Sequence, residues 1–444
     1  MNTPTPEEMR LEATRLVRVL RGAGFTAYFA GGCVRDAMMG QKPKDYDIAT
    51  SAIPAQLISL FPHAHSVGAH FGVIVLRSKG TTYEIATFRT DGSYSDGRRP
   101  ETVTFSTPQE DAQRRDFTIN GLFYDPETDR VIDFVGGQED LRAGRLRAIG
   151  EPVARFREDY LRLLRAVRFA TSLGFEIEPA TWQAVQTCAP QLGCISQERI
   201  RDEFNRILLH PNRVRGFDLL VESGLMAQFL PEILDLRGCE QPPEWHPEGD
   251  VFVHTRLMLS LVQTEAPLPL LLSILLHDIA KPATQTRDAD TGRIRFSGHD
   301  SLGATMAGTI LRRLRYPNAV IDEVVEMVAG HMRFMNVQDM RVAKLKRFMA
   351  RSTFQEEMEL HRVDCASSNG LTDNYDFLRA KEEEFSRLPI IPEPLINGRD
   401  LLSLGIQPGP KIGEILTAVQ TLQLEGSLAT HEEAIEWVRQ QSQL

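Results

Sequence analysis

Two short stretches near the N-terminus carry residues able to do chemistry. Tyr28-Phe29-Ala30 reads as an apolar strand end running into Gly31-Gly32, and Val34 to Met39 follows as a helix with Arg35 in its first turn. Glycines at such a junction let backbone approach a phosphate, and the helix start offers free N–H groups and the positive end of its dipole. Beyond a short loop, Asp45 and Asp47 alternate with Tyr46 and Ile48 in what reads as a second strand, which puts both carboxylates on one face. Adjacent carboxylates repel unless a cation lies between them, which points to Mg²⁺. A phosphate cradle beside a two-carboxylate platform is the layout for in-line nucleotidyl transfer with two metal ions. Either half alone is an ordinary turn or strand end; their order and spacing together carry the reading.

Further candidates lie downstream. Arg114-Arg115-Asp116, with Asn120 just beyond, opens what reads as a helix. Asp159, Arg162, Arg165 and Arg168 are three or four apart, so they share one helix face. That register suits a solvated, salt-bridged helix. It equally sets a carboxylate acceptor beside a guanidinium donor, a pair complementary to the Watson–Crick edges of C and A. A second constellation comprises His246, His254, His277-Asp278, His299, His331 and Asp364. The apolar run Leu268–Leu276 reads as a buried helix that projects His277 and Asp278 into one cavity, as a metal site requires. Imidazole and carboxylate donors favour Mg²⁺, Mn²⁺, Fe or Ni over structural zinc.

The elements that must position these groups are legible in outline. Residues 7–23 carry apolar positions at helical spacing and stop at Gly22 and Gly24. Ile53–Phe61 reads as another helix, and 71–77 with 82–89 as a hairpin turning at Lys79-Gly80. Glu84 on the second hairpin strand is either a third metal carboxylate or a solvated strand residue. Residues 89–105 are polar, Gly-rich and charged, the composition of a mobile loop. From Ile132, a strand, a glycine turn and a helix start follow. Amphipathic helices continue over 211–236, Gly238–Pro243 reads as a linker, and the tail turns at Pro408-Gly409-Pro410 into a helix beginning near Lys411.

With 444 residues the chain has room for two to four domains, and 42% apolar with 25% charged residues is globular composition. No run approaches the roughly 18 apolar residues of a membrane span, and no secretory signal is visible. Five scattered cysteines without a Cys-x-x-Cys pair fit a reducing cytoplasm. The net charge of −10 does not exclude RNA, because arginines cluster between Arg98 and Arg168 while the acidic excess lies mostly elsewhere.

The stretch GGCVRD followed by DYD resembles the class II nucleotidyltransferase family, the bacterial CCA-adding enzymes and poly(A) polymerases. The resemblance covers nearly the whole chain, with the head motifs in family order. It implies an α+β fold: a polymerase-β-like mixed-sheet head (1–145), an all-α neck (146–237), an HD-type helical bundle (238–370) and a helical tail (371–444). It implies addition of CTP and ATP to the tRNA 3′ end, with Asp45 and Asp47 as catalytic Mg²⁺ ligands. Gly31, Gly32, Arg35, Arg115, Arg165 and Arg168 would bind phosphates and ribose, with Asp116 or Asn120 on the 2′-OH. Asp159 and Arg162 would read the base, steadied by the helix that begins at Gln197. The order His, His-Asp, Asp resembles the HD phosphohydrolases, with His254, His277, Asp278 and Asp364 as first-metal ligands, His299 and His331 where two-metal members add ligands, and Lys281 placed to polarise a phosphate. The resemblance leaves three alternatives: addition of the terminal A alone, an HD phosphohydrolase with an inactive RNA-binding head, and poly(A) polymerase. The last lacks its expected basic strand at Gly68–Val75. The full-length loop at 89–105 points away from an enzyme that adds only CC.

Overall fold

The computed structural model describes residues 4–66, 72–92, 102–386 and 389–442, and it divides into two compact units, Met1–Leu234 and Asp235–Leu444. In the first unit, helix α1 (Pro6–Gly22) starts from a capping box between Thr5 and Glu8 and stops at Gly24, whose φ is +87°. Its buried stripe of Ala13, Leu16, Val17 and Leu20 packs with Phe29, Ile48, Ile74 and Ile85 of a sheet. That sheet is built from β1 (Ala27–Ala30), β2 (Ile48–Thr50), β3 (His65–Ser66), β4 (Val73–Ser78), β5 (Thr81–Thr87), β8 (Phe123–Asp125) and β9 (Arg130–Ile132), in the order β3-β4-β5-β2-β1-β8-β9. Only β2 and β5 run parallel; the other pairs are antiparallel. The β4–β5 hairpin turns at Lys79 (φ +48°) and Gly80 (φ +82°), both in the left-handed region that matches the twist of a tight hairpin. Helices α2 (Gly32–Met38), α3 (Pro54–Leu60) and α4 (Pro108–Gln113) complete the head with α5 (Gly137–Arg142), and β6 (Arg89–Asp91) pairs with β7 (Val103–Phe105) at the base of the polar loop. The rest of that loop, with Arg98 and Arg99, and the Gly68–Phe71 stretch lie outside the described residues.

Three local readings change. Asp45 and Asp47 precede β2 instead of lying within it, although the Ala30 N–H donates to the Asp47 carbonyl at 3.0 Å and extends the pairing to that point. Arg114 and Arg115 close α4 instead of opening a helix; a single 3₁₀ turn over Thr118–Asn120 follows. A break separates α6 (Pro152–Glu158) from α7 (Leu161–Leu173), and Asp159 sits in it with extended φ −148° and ψ 105°.

The remainder of the first unit pairs β10 (Arg145–Leu146) with β11 (Glu176–Ile177) and adds α8 (Pro179–Cys188), α9 (Gln197–Leu208), α10 (Arg213–Glu222) and α11 (Met226–Phe229). Phe117 packs edge to face on Phe169 and tilted against Phe156.

The second unit is helical apart from one ribbon. It comprises α12 (Val251–Leu261), α13 (Leu268–Leu276), α14 (Lys281–Thr284), the β12–β13 ribbon (Gln285–Arg287 with Ile294–Phe296), α15 (His299–Arg313), α16 (Asn318–Gly330), α17 (Val342–Met349), α18 (Phe354–Ser367) and α19 (Asp373–Phe385). Every residue from Leu270 to Leu276 is buried, which explains the uninterrupted apolar run. The tail helices α20 (Gly398–Ser403), α21 (Pro410–Leu424) and α22 (His431–Ser442) gather a separate core around Leu401, Val419, Ala434 and Val438. Among the described residues no helix is long and apolar enough to cross a membrane.

Candidate active site and metal cluster

Gly31 occupies the turn between β1 and α2 with φ +70°, and a Cβ there would lie 3.0 Å from the Arg115 guanidinium. Both the backbone conformation and the close approach demand glycine at this point. Across the sheet, the parallel register Ile48↔Ile85 sets Asp47 beside Glu84, and Glu84 faces outward with Thr82. Burial, then Asp45 and Glu84, push the Asp47 carboxyl up to about 6 against the pull of Arg115. Asp45 and Asp47 line one cleft, close enough to each other and to Glu84 to raise Asp47, and paired oxygen donors of this kind fit a hard divalent cation such as Mg²⁺.

Gly31, Gly32, Arg35, Asp45, Asp47, Arg115, Asp116, Asp159, Arg162, Arg165 and Arg168 all line one open cleft of about 1110 Å³. Asp116 is buried at its centre. Its Oδ2 accepts from Arg165 Nη2 at 2.6 Å, and its Oδ1 accepts from the Phe117 N–H at 2.8 Å and Asn120 Nδ2 at 3.1 Å. Burial opposes ionisation, yet Arg165 and Asn120 hold the carboxyl well below the usual range. Asp116 therefore fixes Arg165 and Asn120 in place. Asn120 Oδ1 in turn accepts from Arg35 Nη1 at 2.7 Å. Arg115 is held by Asp111 at 3.0 Å and Arg168 by Glu203 at 2.5 Å.

The side chains of Asp159 and Arg162 do not pair with each other, although the Arg162 N–H donates to the Asp159 carbonyl at 3.0 Å. Asp159 takes Arg199 at 2.8 Å and the Leu161 N–H at 3.0 Å, whereas Arg162 pairs with Glu158 and donates to the Arg155 carbonyl at 2.8 Å. Arg162 Nη2 also donates to the Arg114 carbonyl at 3.3 Å, so each side chain is fixed independently, and both line the cleft. Sequence reasoning set the helix from Gln197 against the base-reading helix without singling out Arg199 or Glu203, and it missed Phe169. The Phe169 ring is a hub: guanidinium carbons of Arg35, Arg165 and Arg168 lie 5.2, 5.2 and 4.1 Å from its centroid. Its position four residues after Arg165, and next to Arg168, was the available signal. Arg199 had none, because its partner is 40 residues away.

In the second unit the predicted cluster comes together. Ligand atoms of His254, His277 and Asp278 lie within 4.8 Å of one another, and so do those of Asp278, His299 and His331, so Asp278 belongs to both sets. Asp364 Oδ1 is 3.1 Å from His254 Nε2. Nδ1 of His277, His299 and His331 each meets a backbone carbonyl (Ile274, Phe296, Val328) at 3.0, 2.7 and 2.7 Å. That contact fixes the tautomer and turns Nε2 lone pairs inward, the outer-shell pattern of metal-binding imidazoles. Nε2 of His254 and of His277 is buried at 3.1 Å from a carboxylate oxygen without the alignment of a hydrogen bond. Burial opposes charge on His254, but Asp364 and Glu248 raise it to about 9; burial and His277 lower His331 to about 4. Imidazole, carboxylate and unmet nitrogen together fit a divalent metal. Lys281 is taken up by Asp278 and Gln241, each at 2.7 Å, which anchors Asp278. Glu248, unremarked in the sequence, receives both His246 and His254 on one oxygen.

Three family models match the chain: the poly A polymerase head domain over 27–147, the RNA and SrmB-binding site of polymerase A over 174–236, and tRNA nucleotidyltransferase domain 2 over 299–438. The CCA-adding enzyme of Geobacillus thermodenitrificans is 33% identical over 441 residues, covering 97% of this chain and 97% of that protein. The CCA-adding enzyme of Geobacillus stearothermophilus is 46% identical over 221 residues; that match spans 50% of this chain and about half, 54%, of the relative. Among solved structures, the Bacillus stearothermophilus CCA-adding enzyme in complex with CTP superposes with a TM-score of 0.76 at 29% identity, covering 99% of this chain and 98% of that one. A polymerase-type head whose glycine turn, acidic pair and arginine-lined cleft occur in one unit, matched along its whole length by such relatives, belongs to the CCA-adding enzyme family of class II tRNA nucleotidyltransferases.

Proposed function

We propose that this chain adds C, C and A from CTP and ATP to the 3′ end of tRNA without a nucleic-acid template, releasing pyrophosphate. The observation that carries the reading is the single cleft that joins the Asp45/Asp47 platform to the Asp159/Arg162 pair. Asp45 and Asp47, with Glu84 beside them, would hold two Mg²⁺ ions; when bound, these supply Lewis-acid activation of the RNA 3′-OH and charge neutralisation of the triphosphate. Gly31 and Gly32 offer backbone N–H groups to phosphate oxygens. Arg35, Arg115 and Arg168 keep donors over after their protein pairings, since a guanidinium has five N–H groups. Asp116 acts through Arg165 and Asn120, aligning them on ribose and phosphate. Asp159 accepts from an exocyclic amine, and Arg162 donates to the neighbouring acceptor on the same base edge. That pattern admits C and A and rejects U and G. The substrates put the reaction in the cytoplasm, and the four divisions 1–145, 146–237, 238–370 and 371–444 serve as head, neck, HD bundle and tail.

The test offers purified protein three tRNAs ending in the discriminator base, in C and in CC, with CTP, ATP and Mg²⁺, followed by 3′-end sequencing. Completion of all three to CCA supports the reading. Extension of the CC-ended tRNA alone would make it an A-adding enzyme, and no extension of any would overturn it.

The His-Asp cluster favours a second activity, metal-dependent phosphohydrolysis. His254, His277, Asp278 and Asp364 would hold the first ion, and His299 and His331 with the shared Asp278 a second. When bound, such ions supply a water nucleophile of lowered pKa. The readout is Mn²⁺ binding by calorimetry alongside phosphate release.

A further inference from the structure

We propose that Lys44, Arg206 and His210 form a second phosphate station in the cleft, taking a backbone phosphate of the RNA strand near its 3′ end; the inference rests on the transferase reading above. The cleft is ordered along α7. Arg162 stands at its start, Arg165 one turn on against Asp116, Arg168 beside Phe169 next, and Ser172 and Leu173 at its end. The arginines of the first three turns are already held by carboxylates: Glu158, Asp116 and Glu203.

The lining contributed by Lys44, Arg206 and His210 is different in kind. Among the described residues Lys44 has no hydrogen-bond or ion-pair partner. It immediately precedes Asp45, so an anion on it lies alongside the carboxylate platform. Arg206 is 63% exposed, and its carboxylate neighbour Glu203, at 3.7 Å, gives its other oxygen to Arg168. His210 Nδ1 accepts the Asn212 N–H at 3.1 Å, which leaves the ring proton on Nε2 as a donor. One unpaired ammonium, one exposed guanidinium whose weak carboxylate contact at 3.7 Å is shared with Arg168, and one N–H donor are phosphate-binding chemistry.

The incoming triphosphate already has the glycine turn and four arginines. In-line displacement requires the attacking 3′-OH to approach from the side opposite the leaving pyrophosphate. The primer strand must therefore be held beside the platform by groups other than those on the triphosphate, and this trio supplies them.

Lys44→Ala/Arg206→Ala removes two exposed charges at little cost to folding, and His210→Gln keeps an N–H donor. The measurements are KM for CC-ended tRNA and for ATP, tRNA affinity without nucleotide by fluorescence anisotropy across salt concentrations, and inhibition by pyrophosphate. The double variant is expected to weaken tRNA binding about tenfold and to flatten the salt dependence by roughly one to two units of log–log slope. KM for ATP should stay within about twofold, and His210→Gln should lie between wild type and the double variant. Unchanged tRNA affinity would overturn the station. So would weakened pyrophosphate inhibition or a raised KM for ATP with tRNA unaffected, either of which gives these residues to the nucleotide. The anisotropy arm needs no turnover: a wild-type protein that binds tRNA but transfers nothing, with that binding lost in the variants, would sink the transferase reading and keep the station.

Discussion

Replacing Asp159 separates base reading from helix support, because the two roles respond differently to Asn and Ala. Asp159 accepts the Leu161 N–H at 3.0 Å and two Arg199 nitrogens at 2.8 and 3.3 Å, with its own side chain 18% and Arg199 27% exposed. Ala removes the acceptor that holds the first amide of α7, at about 1 kcal/mol, and strands a partly solvated guanidinium at about 1 kcal/mol more. Asn keeps the amide acceptor and one contact to Arg199, so it should cost less than about 1 kcal/mol. Selectivity should not follow that difference. A charged hydrogen bond to the exocyclic amine of C is worth about 1.5–3 kcal/mol, roughly 10- to 150-fold in kcat/KM against UTP. With its oxygen held by the Leu161 N–H and Arg199, Asn presents its NH2 where the base amine needs an acceptor, so both variants should lose most of the discrimination. The assay is kcat/KM for CTP and UTP on tRNA ending in the discriminator base, run beside urea unfolding. A CTP/UTP ratio within about twofold of wild type in both variants would refute base reading and return Asp159 to helix support alone.

Asp116→Ala leaves Arg165 and Asn120 without their shared acceptor; since Arg165 is 32% exposed to the cleft, the loss should be about 2–3 kcal/mol in thermal unfolding, with transfer collapsing too. Glu12 is buried under exposed Arg15 and Lys79 and accepts from Ser78; hydrogen bonding from Arg15 outweighs burial and lowers its carboxyl to about 2. A folded-state value below the unfolded 4.5 means its contribution, about 1–2 kcal/mol after screening, is present above pH 4.5 and fades as pH falls towards 2. Glu12→Gln should flatten the acid limb of a stability–pH curve, and an unchanged limb would contradict the assignment. His277→Ala should reduce Mn²⁺ affinity of the second unit at least about tenfold and abolish phosphate release, while CTP and ATP incorporation continues. Parallel loss of incorporation would tie the two sites together.

The glycine turn, the acidic pair and the His-Asp doublet were legible because their chemistry is local: a left-handed φ at Gly31, alternation at Asp45 and Asp47, and a leucine run before His277. Helix α1 and the Lys79-Gly80 hairpin were legible for the same reason, through helical periodicity stopped by glycine and a Lys-Gly turn. What sequence could not give was pairing across the chain. Spacing alone put Asp159 and Arg162 on one helix face, but the helix breaks at Asp159, and each finds another partner, Arg199 and Glu158. Asp116 reads as a ribose acceptor, and its pairing with Arg165, 49 residues away, is a contact that spacing does not show. Glu248 was unremarked because a lone acid carries no pattern, and Phe169 because an aromatic at helical spacing from Arg165 reads equally as core packing. Glu84 was open in the sequence, and the β2–β5 register sets it beside Asp47.

The central claim is that Asp45 and Asp47 clamp divalent cations against an incoming triphosphate. Anomalous scattering from crystals soaked with Mn²⁺ and CTP tests it most directly. Peaks within coordination distance of both carboxylates and of the CTP phosphates are the expected result. Manganese and nucleotide bound together elsewhere, with that acidic pair empty, would contradict the account.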